Sequence, residues 1–335
     1  MEPVAGSSME LPTELRPVLE RSITAQYTSL TRALAPMMVT ITPFVADDRA
    51  TLDVYTGLTY PTKAERARRN PKVSLLYCDP VGSGLDQPPV VLVQGLATVR
   101  DADVQANTDR YVRLAMAKTP AAFKGQPKFL LRTGAWYFAA IWVQVTPMRI
   151  WWWDSPTMRN QPDQWVAPAE TVAPPSDPAP PGRQPGAWLE PASDWHATAR
   201  DVIPRLEQRS LAWVGADGFP VSVPVTSLDH TERGFRLHVG HHLPGAPAGP
   251  ACLTVHTHPK EFTSQENRTL IGEVAGRGGS EEFDFIVERA LAHWSVTGNK
   301  LVASVGFVRK RRKLKPRLAS EAARRGQPVP TVRLP

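Results

Sequence analysis

Tyr55-Thr56-Gly57-Leu58-Thr59-Tyr60-Pro61-Thr62-Lys63-Ala64-Glu65-Arg66-Ala67-Arg68-Arg69-Asn70-Pro71-Lys72-Val73-Ser74-Leu75-Leu76-Tyr77 holds most of what the sequence says about fold. A strand ends in a Thr-rich turn, the turn opens a short basic helix, and Asn70-Pro71 closes it before an apolar strand. Thr62 followed three residues later by Glu65 matches a capping box, and Pro71 disfavours helical geometry at Asn70. Hydroxyls and free N–H groups at a helix start suit a phosphate, which the helix dipole also favours. Lys63 in the first turn adds a point charge. On composition alone, Lys63, Arg66, Arg68 and Arg69 read as a solvated helix face.

Outward from this stretch the first half alternates as strands do. Met37–Thr42, Leu52–Thr56, Val73–Tyr77, Val90–Val99 and Trp142–Thr146 are β-branched and apolar, with turn residues between them. Short strands at this spacing predict a barrel or sandwich. Helices are expected at Thr62–Arg69 and, with apolar Val104, Val112, Leu114 and Met116, at Asp101–Lys118.

The segment 55–77 resembles the flavin-binding motif of the pyridoxamine 5'-phosphate oxidase-like split barrels (the flavin/deazaflavin oxidoreductase family). That motif is a strand ending in Thr, then Ser or Thr with Lys opening a helix, then Asn-Pro and an apolar strand. Here these are Thr56, Thr62-Lys63, Asn70-Pro71 and Val73–Tyr77. Val93-Gln94-Gly95-Leu96-Ala97 resembles the family's next strand, and Val143–Ile150 its closing one. The likeness covers roughly residues 11–153. It implies FMN or the deazaflavin F420, with Thr40, Thr56, Thr62, Lys63, Arg66 and Gln94 as cofactor-binding residues and the ring against the backbone of Val39–Thr42. It also implies an oxidoreductase acting on a small molecule. The Arg-rich C-terminal substrate motif of true pyridoxamine-phosphate oxidases is not evident. No catalytic acid or base can be named. The alternatives are a non-catalytic flavin, F420 or haem binding or sensor protein, and a scaffold recruiting an anionic partner.

Proline accounts for 34 of the 335 residues and concentrates between 160 and 191, a composition that reads as an extended linker. Beyond it a helix is expected over 192–208, then strands at Leu211–Val214, Val221–Val223, Phe235–Val239, Cys252–His256 and Thr269–Ala275, and a helix over Phe283–Ala292. The order repeats the first half, which predicts a tandem duplication. The expected architecture is mainly β with α: two split β-barrels, at 11–159 and, degenerate, at 192–308, with a basic tail at 309–335. They would form a pseudo-dimer within the chain, or the chain a homodimer. Where copy one has its Thr-Lys helix, copy two has Gly240–Pro250, rich in Gly and Pro and free of Lys and Arg, so its phosphate site is expected to be lost.

Five histidines, His238, His241, His242, His256 and His258, gather in the second half. Positions 256 and 258 share a strand face, but no Cys, Asp or Glu joins them at a recognised metal-ligand spacing, and no metal is expected. Trp136, Trp142 and Trp151–Trp153 are expected in core or interdomain contacts, not in a ring pocket. The two cysteines lack metal-ligand or disulfide spacing. No signal peptide or membrane span is evident, so a cytoplasmic protein is expected. The net charge of +7 and pI near 9.6 suit an anionic ligand without selecting a fold. The run Arg309–Lys315 is expected to be a solvated tail, with nucleic acid an unfavoured partner.

Overall fold

A computed structural model describes residues 10–182, 194–201, 203–276, 281–291, 295 and 300–335. The first half contains α1 (Arg16–Arg21), β1 (Ala25–Leu30), β2 (Pro36–Ile41), β3 (Phe44–Val45), β4 (Leu52–Gly57), α2 (Thr62–Arg69), β5 (Lys72–Tyr77) and β6 (Val90–Arg100). It continues with α3 (Val104–Lys118), the short helices α4 (Pro120–Phe123), α5 (Lys128–Arg132) and α6 (Ala135–Phe138), then β7 (Ala140–Trp153) and β8 (Asp163–Val166). These strands form an eight-stranded antiparallel sheet in the order β2-β1-β5-β6-β7-β4-β3, with β8 added to β7. The second half contains α7 (Trp195–Asp201), β9 (Gln208–Val214), β10 (Pro220–Thr231), β11 (Gly234–Val239), β12 (Gly249–Thr257), β13 (Glu266–Gly276) and β14 (Glu282–Ala290). These close into a barrel, β10-β11-β14-β13-β12-β9. Helix α8 (Lys300–Arg324) follows. The fold is mainly β with α and holds two barrel-like copies in one chain.

The duplication is legible strand by strand. Read as β2-β1-β5-β6-β7-β4, the first sheet has the same order as β10-β9-β12-β13-β14-β11 in the second. Both copies place a glycine at a bulge in the same strand. The register shifts between Gln94 and Gly95 in β6, and between Ile271 and Gly272 in β13. A Cβ on Gly95 would stand 2.5 Å from the Thr146 carbonyl oxygen, and one on Gly272 1.9 Å from that of Ile286. Backbone approach, not turn geometry, therefore requires both glycines.

The copies pack through β1, β2 and β5 on one side and β9, β10 and β12 on the other, and their contacts come in exchanged pairs. β2 touches β9 as β1 touches β10; β2 touches β12 as β10 touches β5; β2 touches β13 as β10 touches β6. This is the reciprocity of a two-fold interface. Thr28 and Ser74 meet Ser222 at 2.9 and 3.1 Å. At the exchanged positions Met38, Ala212 and Cys252 form a buried apolar contact.

Several expectations change. Where a helix was expected over 283–292, Glu282–Ala290 is a strand: Phe283, Phe285 and Val287 are buried at a spacing of two and close the barrel. The helix at Thr62–Arg69 has no side-chain cap, and Glu65 pairs with Arg324 at 3.0 Å instead. The helix expected from Asp101 starts at Val104, capped by Asp103, whose carboxylate accepts from the Ala106 N–H. Over 192–208, the described residues give α7, a 3-10 turn at Ile203–Arg205 and the start of β9.

The Pro-rich stretch is tethered to the first sheet. The Pro174 carbonyl accepts from Thr98, Ser176 Oγ from the Val99 N–H, and Asp177 from the N–H groups of Asp101 and Ala102. Residues 183–191 lie outside the described residues. The basic run lies in α8. There Arg309, Arg311, Arg312 and Lys315 are exposed as expected of a solvated face, while Leu314, Leu318 and Ala322 bury themselves in the first core. Trp136, Trp142 and Trp153 are buried, as is Trp213; Trp153 packs in the second core while Trp152 packs on the first. The core role expected of them holds, and β7 stitches the cores together.

Candidate functional site

Helix α2 divides its charges between two neighbours. Glu65 takes Arg324, and Arg68 pairs with Asp101, which also accepts from Arg325 Nε at 2.9 Å. Arg325 in turn holds Glu321 at 2.6 Å. This buried network docks α8 onto α2 and balances its own charge. Lys63 and Arg66 stand outside it. Among the described residues no carboxylate pairs with either.

Arg66 is 8% exposed, and its Nε donates to Ser29 Oγ at 2.8 Å. Burial pulls its guanidinium down to about 10; the Tyr27 phenol opposes the shift, Arg69 adds to it, and the Cys252 thiol of the second barrel opposes it. Lys63 is half-buried, and desolvation, reinforced by Arg66, lowers its ammonium to about 8. Tyr27 beside Arg66 is wholly buried, and its hydroxyl has no hydrogen-bond partner among the described residues. Two desolvated cations and an orphaned hydroxyl thus share one corner near the seam, under the exposed Thr62 at the helix start. A buried charge without a counter-ion is costly, and a bound anion would remove that cost.

The other residues expected at the site are already engaged. Thr56 gives its hydroxyl to the Tyr60 carbonyl at 2.7 Å and fixes the turn before α2. Thr40 donates to Gln26 Oε1 at 3.1 Å. Gln94 donates to the Pro220 carbonyl at 2.9 Å and accepts from Arg149 at 2.7 Å. Strand alternation separates them from Arg66: Thr28 and Gln26 face the second barrel, while Tyr27 and Ser29 face α2 and the first core. The structure brings Thr62, Lys63 and Arg66 together and sets Thr40 and Gln94 on the inter-barrel face. Along β2, the Met38 N–H and carbonyl are met by Cys252 Sγ at 3.4 Å and Thr254 Oγ1 at 3.3 Å.

At one end of the seam lies a second group, spread over two distant segments. Asp79 Oδ2 lies 2.9 Å from His256 Nε2, 2.9 Å from His258 Nε2 and 2.9 Å from Thr24 Oγ1. Burial works to raise the Asp79 carboxyl, but the hydrogen bonds from His256 and His258 hold it below its ordinary range. For His258, burial works downward while Asp79 and the Pro259 carbonyl raise the imidazole overall. The two histidines were singled out in the sequence; Asp79, 177 residues before His256, was not, since nothing local marks it. Both thiols are pushed up by burial, Cys78 to about 12 and Cys252 to about 11, so neither is a thiolate nucleophile at neutral pH.

No family model and no curated protein matches the chain. Solved structures similar to it include an F420 reductase at 17% identity and TM-score 0.32, over 42% of this chain and 98% of that one. General stress protein 26 from Bacillus anthracis is similar at 16% identity and TM-score 0.29, over 46% and 95%. A protein from Clostridium acetobutylicum related to general stress protein 26, of the pyridoxinephosphate oxidase family, is similar at 12% identity and TM-score 0.31, over 46% and 92%. Among the described residues no helix is long and apolar enough to cross a membrane.

Proposed function

We propose that the chain is a flavin- or deazaflavin-dependent oxidoreductase, using FMN or F420, whose cofactor phosphate is held by Thr62, Lys63 and Arg66. The observation that carries this reading is the pair of cations on α2 left without a carboxylate when every other inward charge on the helix is paired. The residues present fit a phosphate. Lys63 supplies a point charge, Arg66 a planar donor set anchored by Ser29, and Thr62 a hydroxyl and N–H at the helix start. Tyr27 has a hydroxyl to spare beside Arg66.

Other residues act by position. Thr56 holds the turn that aims α2, and Gln94 and Thr40 fix the inter-barrel face beside it. The second barrel has no helix, Lys or Arg where the first has α2, and it closes one side of the seam, so the working unit is the pseudo-dimer within one chain. When bound, the cofactor supplies hydride chemistry towards a small-molecule substrate. A cytoplasmic setting agrees with two cysteines kept as free thiols.

The test is an absorbance and fluorescence titration of the full chain with FMN, F420 and haem, beside Lys63→Ala and Arg66→Met. One flavin-type cofactor is expected to saturate, with affinity lowered about 10- to 100-fold in each variant, the worth of a charge-assisted contact. Failure of all three to bind, or variants that bind like the parent, would overturn the assignment. Binding without turnover in the presence of a reductant would leave a carrier or sensor.

A further inference from the structure

The cluster around Asp79 takes no part in the cofactor reading, yet its geometry is that of a ligand set. Asp79 follows β5 of the first barrel, and His256 and His258 come from the end of β12 in the second. Their exposures are 5%, 0% and 6%. One donor atom from each lies within 4.8 Å of the others, and both imidazole Nε2 atoms point at the same carboxylate oxygen.

Each donor is also held from behind. His258 Nδ1 lies 2.9 Å from the Pro259 carbonyl, which can only accept, so Nδ1 carries a proton and Nε2 is the atom turned inward. His256 Nδ1 is 3.1 Å from the Gln26 side-chain amide. The other Asp79 oxygen, Oδ1, accepts from the Val81 N–H at 3.0 Å. Ring nitrogens fixed through their far side by a carbonyl or amide are the outer-shell arrangement of histidine metal ligands. Without an ion the same contacts make His258 an imidazolium paired with the Asp79 carboxylate, because both of its neighbours there are acceptors.

We propose that Asp79, His256 and His258 bind one divalent cation of the zinc class and so tie the two barrels together. Two imidazole nitrogens and a carboxylate suit such an ion, and Thr24 Oγ1 lies beside the same carboxylate oxygen. Binding releases a proton from His258 Nε2 to solvent, while Nδ1–H stays on the Pro259 carbonyl. His256 exchanges its Nε2 proton for one on Nδ1. The Gln26 amide then turns so that Oε1 accepts this proton and its NH2 donates to Thr40. The proposed ion shares no ligand with the cofactor site and meets it only through Gln26 and Thr40, so either can fail alone.

The experiment is metal analysis of the full chain after equilibration with micromolar Zn2+ and desalting, with Asp79→Asn, His258→Gln and, as control, His238→Gln. The parent and the control are expected to retain one Zn2+ per chain, with Asp79→Asn and His258→Gln weakened at least ~100-fold. At a 100-fold excess over Kd, Zn2+ should raise the parent Tm by about 5 °C. A parent that holds no zinc, or an Asp79→Asn chain that holds it as tightly, overturns the proposal; in the second case exposed histidines such as His241 bind it. Should both ligand variants fail to fold, the Cu2+-loaded parent decides by electron paramagnetic resonance. Couplings from two imidazole nitrogens are expected, and their absence counts against the site.

Discussion

The two barrels run the same strand order and differ in what fills the connection after β4 and β11. In the first, that connection is α2, and the sheet stays open, with β2 at one edge and β3 at the other. In the second it is Gly240–Ala248, and β10 pairs with β11 to close the ring. Closure leaves the second barrel no free edge, and its connection after β11 has no helix to carry charge. The open copy keeps a helix whose two inward cations are uncompensated. One copy is finished as structure, while the other leaves electrostatic work for a ligand to complete. The interface shows the same division on a smaller scale, with hydroxyls at Thr28, Ser74 and Ser222 and apolar contacts at Met38, Ala212 and Cys252.

The sharpest way to break this comparison is at the equivalent glycines. Gly272→Ala drives a methyl to within 1.9 Å of a backbone oxygen in a closed ring. It should cost about 3–5 kcal/mol, or prevent folding of the second barrel, in urea unfolding followed by tryptophan fluorescence. Gly95→Ala, at 2.5 Å and in a sheet with open edges, should cost less. Equal costs would mean that closure adds no rigidity. Next in size is Met38→Ala, which empties a fully buried site between the barrels and should cost about 2–4 kcal/mol in the same measurement.

Most of the first copy was legible because its strands and α2 carry local signals: β-branched runs, turn residues, and Asn70-Pro71 as a stop. The second copy was legible as an order of elements, but β14 was not. Phe283-Asp284-Phe285-Ile286-Val287 contains enough apolar residues for either period, and only barrel closure selects two. Helix α8 read as a tail because its cations outnumber the apolar residues that dock it, Leu314, Leu318 and Ala322. At the site, Lys63 and Arg66 could be named through the resemblance of segment 55–77 to a flavin-binding motif. That they are uncompensated could not, because it depends on Arg324 and Arg325 reaching back from the far end of the chain to take Glu65 and Asp101. Asp79 escaped for the same reason, since its partners lie in the other copy.

The polar half of the interface gives a smaller effect. Ser222→Ala removes the hydroxyl shared by Thr28 and Ser74, all three buried. Its expected cost is about 1–2 kcal/mol, that of leaving buried hydroxyls short of a partner. A Ser222→Ala cost exceeding that of Met38→Ala would reverse the division between apolar and polar contacts.

The smallest effect is also the one that separates a phosphate site from a solvated helix face. In the free protein Lys63 titrates at about 8, below its ordinary value, so the folded chain favours the neutral amine. Its burial therefore weighs against stability while it is charged, below about pH 8, and that cost fades as pH rises towards the unfolded value. For a bound phosphate the sign reverses. The anion favours the ammonium, so above about pH 8 binding must take up a proton, and affinity falls by up to about tenfold per pH unit. Arg66, at about 10, stays charged over most of that range, and the second ionisation of a phosphate monoester is complete below it. A titration of FMN or F420 affinity from about pH 7 to about pH 9 should thus bend near 8 in the parent and run flat in Lys63→Arg, which keeps its charge. A flat parent profile would place Lys63 away from the phosphate and return the basic face of α2 to solvent.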